Sequence, residues 1–259
     1  MRKKLFVFLA SAIVIHFLFI FAKAKPFDNL KAVSASIYTN EVPAAVSNTE
    51  NTVISDVPVN NKLALYDNLH LQELGLSREA FNYAVKGYDY LLSAGKLNND
   101  KLLSIVDFSL ASSKKRLFII DLNNNKLLFN TYVSHGRNSG REMANQFSNE
   151  PESNKSSLGF YVTGDTYIGK HGYSLRLLGE ERGINDNANS RAIVMHSAAY
   201  VSEAAIRMQG FIGRSLGCPA LPENLYKPII EKIKNGSCLF LYSPDNYYAA
   251  HSTILKKVA

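Results

Sequence analysis

Short apolar segments separated by turn residues fill the chain from residue 102 onward, and this pattern most constrains the fold. Ile105 to Leu110 alternates between apolar and polar residues, and Leu117 to Ile120 is an uninterrupted apolar run. Asn123 to Asn125 follows that run, and Lys126 to Ser134 returns, which predicts a β-hairpin. Further strands are expected at 159–163, 173–178, 191–196 and 237–243. Many short strands with few helices predict a mainly β, α+β domain, either a sandwich or an open barrel.

Helical patterns are fewer and lie mainly at the two ends of this strand-rich segment. Ser77 is the expected N-cap of a helix from Arg78 to Leu92. Two shorter helices are predicted at 202–209 and 222–234. The polar stretch 137–157 predicts a long loop, and loops of this length without secondary structure are usually functional or disordered.

The N-terminal residues have the composition of an export signal. Arg2-Lys3-Lys4 precede a mostly apolar run from Leu5 to Phe21, and Ala22-Lys23-Ala24 supplies the small residues of a cleavage site. An uncleaved membrane anchor is the alternative, although the apolar run is slightly short for a membrane span. The chain is accordingly divided into a signal peptide at 1–24, a flexible linker at 25–62, a helical extension at 63–100, a catalytic domain at 101–245 and a C-terminal tail at 246–259.

The positive charge of the chain comes largely from this N-terminal segment. Residues 1–24 contain four of the 29 basic residues and none of the 22 acidic ones, so removing them lowers the formal net charge from +7 to +3. The remainder has no basic stripe interleaved with aromatic residues. We therefore do not expect this protein to bind nucleic acid.

The strongest candidate for chemistry is Cys218, which lies between Gly217 and Pro219 on an expected tight turn. His196 follows an apolar run 22 residues upstream, where its imidazole can accept the thiol proton. The amides around Gly217 are expected to point in one direction and form an oxyanion hole. Ser197 is expected to help place the imidazole. These residues predict a cysteine nucleophile with a histidine base.

A serine nucleophile is a competing hypothesis for the same run. Gly213 to Gly217 matches G-x-S-x-G with Ser215 at its centre, and Asp245 and His251 follow in the order of a serine hydrolase triad. Such a serine needs a buried strand before it and a helix directly after it. Pro219 disfavours a helix at that place, so the cysteine is the preferred nucleophile.

The two cysteines of the chain, Cys218 and Cys238, raise the question of a disulfide. Cys238 lies within an apolar run and is expected to be a buried free thiol. A bridge between the two is the alternative, and it would abolish nucleophilic chemistry. No Cys or His cluster has metal-ligand spacing, so no metal is expected.

Several of these features, in this order, resemble the L,D-transpeptidase (YkuD-like) catalytic domain. The Ser156 to Tyr161 run resembles a strand of that family, and His196-Ser197 followed by Ser215-x-Gly217-Cys218 resembles its catalytic signature. A divergent branch carries Gly-Arg-Ser-x-Gly-Cys-Pro-Ala and an upstream His-Gly-Arg-x-Ser-Gly, which stands here at 135–140. The resemblance covers about residues 104–243 and implies the family's β-rich fold with a few helices.

The chain departs from the family pattern at two places. Leu216 replaces a second histidine, which leaves His196 as the expected base. Pro219-Ala220-Leu221 replaces a segment whose arginine is thought to meet a substrate carboxylate. Four arginines are candidates to substitute for it: Arg137, Arg176, Arg191 and Arg214. His171 and His135 each precede a glycine and are candidates to line the cleft, and the residues expected to bind substrate are His135, Arg137, Arg214 and Ser215.

The resemblance implies a peptidoglycan enzyme that acts in the periplasm or cell envelope. Cys218 would form an acyl-enzyme with a stem peptide and transfer it to an acceptor amine, with Cys218, His196, Ser197 and Gly217 as catalytic residues. Transfer to water at the same site, as in an L,D-carboxypeptidase, and a non-catalytic wall-binding protein remain alternatives. We expect a monomer that needs no cofactor, with peptidoglycan stem peptides as its partners and no stable membrane insertion after signal cleavage.

Overall fold

The structure is a computed structural model and describes residues 58–257. The expected signal peptide at 1–24 and nearly all of the linker at 25–62 lie outside the described residues. The described part is built on a mixed eight-stranded sheet with short helices, which confirms the mainly β, α+β fold class. Its helices are all too short or too polar to cross a membrane.

Eight strands form the sheet. In chain order they are β1 Leu102–Asp107, β2 Leu117–Asp121, β3 Lys126–Thr131, β4 Gly159–Gly169, β5 Gly172–Gly179, β6 Val194–Ser197, β7 Ala220–Leu221 and β8 Cys238–Tyr242. They lie in the order β3-β2-β1-β8-β4-β5-β6-β7. The β1–β8 and β6–β7 pairs are parallel, whereas the other neighbours are antiparallel. The strands expected from the sequence are all present.

The middle of the sheet is buried on both faces. Every residue of β1, β2 and β8 is buried, which explains why these segments are nearly continuous apolar runs rather than alternating ones. Phe160 of β4 stacks on Phe240 of β8 with 4.2 Å between ring centroids. The β6–β7 end of the sheet differs from this centre, because its two strands are short and are flanked by loops.

Six helices complete the described part. They are α1 Pro58–Asn68, α2 Arg78–Ser93, α3 Glu203–Gln209, α4 Tyr226–Ile233, α5 Asn246–His251 and α6 Thr253–Lys257. The expected N-cap is confirmed, because the Ser77 hydroxyl accepts a hydrogen bond from the Ala80 amide at 3.3 Å. Helix α4 begins four residues later than predicted, and Pro228 falls in its first turn, where a missing amide costs nothing.

The helical extension packs directly against the sheet. Ala80, Phe81 and Val85 of α2 belong to the same buried cluster as the sheet residues. Gly87 allows the closest approach, since a Cβ at this position would lie 2.0 Å from Cζ of Phe160. Residues 63–100 therefore cover one face of the sheet that would otherwise expose apolar side chains.

The C-terminal residues of the described part are helical. Residues 246–257, within the expected C-terminal tail, form α5 and α6. Glu181 holds them, because its buried carboxylate accepts hydrogen bonds from the Tyr248 hydroxyl at 3.0 Å and from the Ser252 hydroxyl. Burial raises the pKa of this carboxyl group, and these hydrogen bonds oppose the rise. No local pattern in residues 246–257 indicates this long-range anchor.

The pairing at the end of the sheet determines what meets there. Leu175 of β5 pairs with Met195 of β6, and His196 of β6 pairs with Ala220 of β7. A register shift between Thr163 and Thr166 interrupts the ladder of the long β4–β5 hairpin, and such irregularities bend a strand. The end of β6, the segment before β7 and the turn of this hairpin are thereby brought together.

Candidate active site

Cys218 lies in a loop that connects α3 to β7 and is held by backbone hydrogen bonds. The Ser215 amide donates to the His135 carbonyl at 2.9 Å, and the Arg137 amide donates to the Ser215 carbonyl at 2.8 Å. Gly136 and Ser215 form an isolated parallel bridge. The His-Gly-Arg segment at 135–137, which the family resemblance singled out, is thus hydrogen-bonded through its main chain to the nucleophile loop, defined as residues 210–219.

Serine hydroxyls complete this bracing. The Ser215 hydroxyl donates to the Cys218 carbonyl at 2.6 Å and accepts from the Gly217 amide at 3.1 Å. The Ser156 hydroxyl donates to the Gly217 carbonyl at 3.2 Å, and that of Ser134 to the Cys218 carbonyl at 3.3 Å. Ser215 was expected to bind substrate, but both hydrogen bonds of its hydroxyl are made within the loop. Its geometry indicates a structural role.

Gly217 is required by backbone geometry. Its φ of +132° lies in the region that favours glycine, and a Cβ would lie 2.8 Å from Cδ1 of Ile193 and 3.0 Å from the Lys155 carbonyl oxygen. Its amide faces Ser215, which differs from the expectation that it helps form an oxyanion hole. Among the described residues, the amides of Leu216 and Cys218 have no acceptor and remain available.

His196 lies at the end of β6, beside the strand that follows Cys218. Its side chain is buried, with 3% of its surface exposed. Nδ1 lies 2.7 Å from the carbonyl oxygen of Ser197, so Nδ1 carries the proton and donates to it. Nε2 of the neutral ring is consequently an acceptor. The Ser197 carbonyl, rather than its side chain, holds the imidazole in this orientation.

The environment of Cys218 favours a protonated thiol at rest. Burial raises the pKa of the Cys218 thiol, while the Val194 amide, 3.5 Å from Sγ, and the charge of Arg191 lower it. Sγ also lies 3.7 Å from the carbonyl oxygen of Ala192. Burial lowers the pKa of His196 despite its hydrogen bond to Ser197. Both shifts favour the neutral forms of the thiol and the imidazole over a thiolate and an imidazolium.

A cleft of about 480 Å³ contains both side chains. Its lining is cationic, with Lys170, Arg191 and Arg214 and no carboxylate. Leu216, 61% exposed, forms an apolar part of the rim where the family pattern has histidine. The charge of this lining suits an anionic ligand. Within residues 62–257, no three His, Cys, Asp or Glu side chains lie close enough together to hold a metal ion.

The four candidate arginines separate clearly. Arg191 makes four hydrogen bonds that hold the 137–157 loop, to the Ser148 and Lys155 carbonyls and the Ser153 and Ser157 hydroxyls. Arg176 pairs with Asp165 and stacks on Tyr167, but it does not itself line the cleft. The exposed side chain of Arg137 is absent from the cleft lining. Arg214 lines the cleft and donates through Nη1 to the Arg137 and Gly140 carbonyls at 3.3 and 3.1 Å.

His135 does not line the cleft, contrary to its expected role in substrate binding. It is 0% exposed, its Nδ1 accepts a hydrogen bond from the buried guanidinium of Arg116 at 2.7 Å, and Nε2 lies 3.3 Å from the Gly140 carbonyl. Burial first and the charge of Arg116 second lower the pKa of His135 to about 3. His135 is therefore a neutral structural residue behind the nucleophile loop. His171 is the other histidine that precedes a glycine, and it does line the cleft.

The residues of the alternative serine hydrolase triad do not come together in the structure. Asp245 caps α5 by accepting from the Tyr248 amide at 2.7 Å, and His251 stacks on Tyr247 with 4.0 Å between ring centroids. Neither lines the cleft that contains Ser215.

Cys238 is a fully buried free thiol in β8, and Cys218 is also free, so the disulfide hypothesis is wrong.

Comparisons with known proteins identify the family. The model of the L,D-transpeptidase catalytic domain (YkuD_2) matches residues 72–242, about two thirds of the chain. A search of curated proteins gives no match. Solved structures that are similar include an L,D-transpeptidase from Mycobacterium smegmatis, with 12% identity, 55% of this chain and 59% of that chain covered, and a TM-score of 0.34.

Two further solved structures belong to the same set. The helical cell shape determining protein Pgp2 from Campylobacter jejuni has 15% identity over 62% of this chain and 57% of that chain, with a TM-score of 0.38. An L,D-transpeptidase (Yku) from Stackebrandtia nassauensis has 14% identity over 71% and 77%, with a TM-score of 0.34. The chain spans under two thirds of the length of the structures first matched. The family model, which extends from the end of α1 to β8, shows that this chain belongs to the L,D-transpeptidase catalytic domain family.

Proposed function

We propose that this protein is a peptidoglycan L,D-transpeptidase that forms a thioester between Cys218 and a stem peptide. One observation carries the proposal: Cys218 and His196 line one cleft, and the Ser197 carbonyl fixes the tautomer in which Nε2 of His196 can accept a proton. Family membership independently supports acyl transfer as the reaction class. The acidic stem peptide also suits the cationic lining of the cleft.

The chemistry begins from the neutral pair. As Sγ of Cys218 attacks the carbonyl carbon of the L-centre of a diaminopimelate–D-Ala bond, Nε2 of His196 takes the thiol proton. The imidazolium then gives this proton to the leaving D-Ala amine, and the carbonyl re-forms as a thioester. Because the resting thiol is protonated, the base must act during attack rather than beforehand.

The oxyanion requires donors that the loop has not already used. The Gly217 amide is occupied by Ser215, so we assign this role to the amides of Leu216 and Cys218. Gly217 then acts indirectly, because its φ of +132° fixes the backbone between these two amides. Ser215 acts in the same indirect way by fixing the turn.

Arg214 is the proposed partner of a substrate carboxylate. Arg214 has Nε and Nη2 unpaired among the described residues, whereas both Nη1 and Nη2 of Arg191 donate to the 137–157 loop. The hydrogen bonds from Nη1 of Arg214 hold the group at the rim, which reduces the entropy lost on binding. Lys170, on the opposite β4–β5 hairpin, supplies a second positive charge that the sequence had not indicated.

The second half of the reaction distinguishes two functions at this site. An acceptor amine that attacks the thioester gives a cross-link, whereas water gives an L,D-carboxypeptidase. The apolar side chain of Leu216 at the rim favours the exclusion of water, and this supports the amine as acceptor. Export to the periplasm or cell envelope rests on residues 1–24, which lie outside the described residues.

Release of D-Ala from purified tetrapeptide stems tests the proposal. Cys218→Ala removes the nucleophile, so release is expected to fall to background. Ser215→Ala loses only the brace of the loop and is expected to retain measurable release, reduced by about tenfold or more. An active Cys218→Ala protein contradicts the proposal. Sacculus binding without turnover by the wild type, with an unreactive Cys218, supports the wall-binding alternative.

A further inference from the structure

The turn of the β4–β5 hairpin reaches over the end of β6. Leu175 pairs with Met195, and the antiparallel direction carries the residues before Leu175 past His196. Lys170 and His171 form the turn, and Gly172 follows with φ +76°, in the region that favours glycine. The turn therefore delivers His171 to the cleft although it is more than twenty residues away from His196 in sequence.

The two imidazoles stack. Their ring centroids are 4.4 Å apart and their planes are inclined by 23°. His171 is exposed, whereas His196 beneath it is buried. One edge of His196 is fixed by the Ser197 carbonyl, and one face is covered by His171. These two contacts together restrict both the tilt and the rotation of the base.

We propose that His171 is a positioning residue for His196: its ring holds the base by stacking, and its protonation places a positive charge beside the base. The proposal deepens the proposed acyl transfer and rests on it for its kinetic test only. Leu216 cannot perform this task, because an aliphatic side chain neither stacks as a flat ring nor titrates. Among the residues that line the cleft, His171 and His196 are the two imidazoles.

The charges around the stack strengthen the coupling. Six other titratable residues line the cleft around the pair. Tyr167 and Lys170 come from the β4–β5 hairpin, and Arg191 and Tyr200 come from the segments before and after β6. Arg214 and Cys218 come from the loop between α3 and β7. None is a carboxylate that could compensate for two adjacent imidazolium ions. A protonated His171 accordingly lowers the pKa of His196, in addition to the larger effect of burial. His196 stays available as a base to lower pH than it would alone.

Two variants separate stacking from charge. His171→Phe keeps a flat ring over His196 but cannot be protonated, whereas His171→Ala removes both contributions. His251→Ala is the matched control, because His251 also stacks on a neighbouring ring but lies outside the cleft. Thermal unfolding of each variant shows whether the domain remains folded before other measurements are compared.

The first test follows the imidazole proton resonances of His196 against pH by NMR in the full chain, which requires no catalytic activity. We expect the His196 titration to move to higher pH in both His171→Phe and His171→Ala, and to stay unchanged in His251→Ala. Coincident His196 titrations in the wild type and both His171 variants would overturn the proposal. This arm gives an answer even if the wild type releases no D-Ala and the proposed function fails.

The second test measures D-Ala release as kcat and KM against pH. His171→Ala is expected to lower kcat by about tenfold with little change in KM, since the base is less well placed. His171→Phe is expected to recover kcat to within about twofold, while the acid limb of its profile stays shifted to higher pH. Failure of phenylalanine to recover kcat, or a wild-type profile in His171→Ala, contradicts the positioning role.

Discussion

The two cysteines of this protein occupy regions built in opposite ways. Cys238 lies in β8, where every residue is buried and the strand has hydrogen-bonded partners on both sides. Cys218 lies in a loop held by serine hydroxyls and a left-handed glycine, with Sγ near a main-chain amide and an arginine. A thiol buried in a strand that is paired on both sides is not accessible to a substrate. Irregular backbone, fixed by specific hydrogen bonds, places a thiol in a cleft that His196 also lines.

Burial affects the two thiols to different extents. Burial raises the pKa of both, but for Cys238 no donor opposes the rise. For Cys218 the Val194 amide and Arg191 oppose it. We therefore expect the reactivity of the Cys218 thiol to depend on its accessibility and on a nearby base, and not on an unusually low thiol pKa.

The largest expected effect comes from distorting the loop around Cys218 without touching its thiol. Gly217→Ala places a methyl group against Ile193 and the Lys155 carbonyl at a φ that disfavours alanine. We expect the rate of Cys218 acylation to fall by about 100-fold, because a displacement of about 1 Å is enough for such a loss. Stopped-flow acylation measures it. Gly183→Ala, with a positive φ but open space around it, is the control and should retain the rate.

The pH dependence of alkylation examines the protonation states of both thiols. Because the folded pKa of Cys218 is raised, its reaction with iodoacetamide should increase up to a pH above the ordinary range of a free thiol. A thiolate–imidazolium pair would instead give a rate plateau through neutral pH, which would contradict the neutral pair. Cys238 should be modified only after unfolding, because it is fully buried.

A smaller effect separates stability from activity. Cys238→Ala leaves a cavity in the middle of the sheet and is expected to lower the free energy of unfolding by about 1–2 kcal/mol, with the acylation rate unchanged. Cys218→Ala should change stability by about 0.5 kcal/mol or less, because the residue is only partly buried. Urea denaturation of both variants measures these changes. Equal stability losses would remove the contrast between the two regions.

Local sequence patterns predicted the regular parts of the fold well. Apolar runs identified the strands, and Ser77 identified the start of α2, because both depend on neighbouring residues. The burial of His135 depends on Arg116, and the order of residues 246–257 depends on Glu181. Both are long-range polar contacts that leave no local periodicity.

The candidate site was partly predictable for the same reason. His196 and Cys218 were found because their dipeptide contexts match a family signature. The stacking of His171 on His196 was hidden, because it depends on how far the β4–β5 hairpin extends beyond β6. Occupation of the Gly217 amide by Ser215 depends on the turn geometry, so the sequence alone could not separate this amide from those of Leu216 and Cys218.

Mass spectrometry of the intact protein after exposure to a carbapenem shows directly whether Cys218 is the nucleophile. We expect one covalent adduct, located by peptide mapping on Cys218, that is lost in Cys218→Ala and retained in Cys238→Ala and Ser215→Ala. No adduct on the folded wild-type protein, or an adduct on Ser215 that survives Cys218→Ala, would contradict the assignment of Cys218 as the nucleophile.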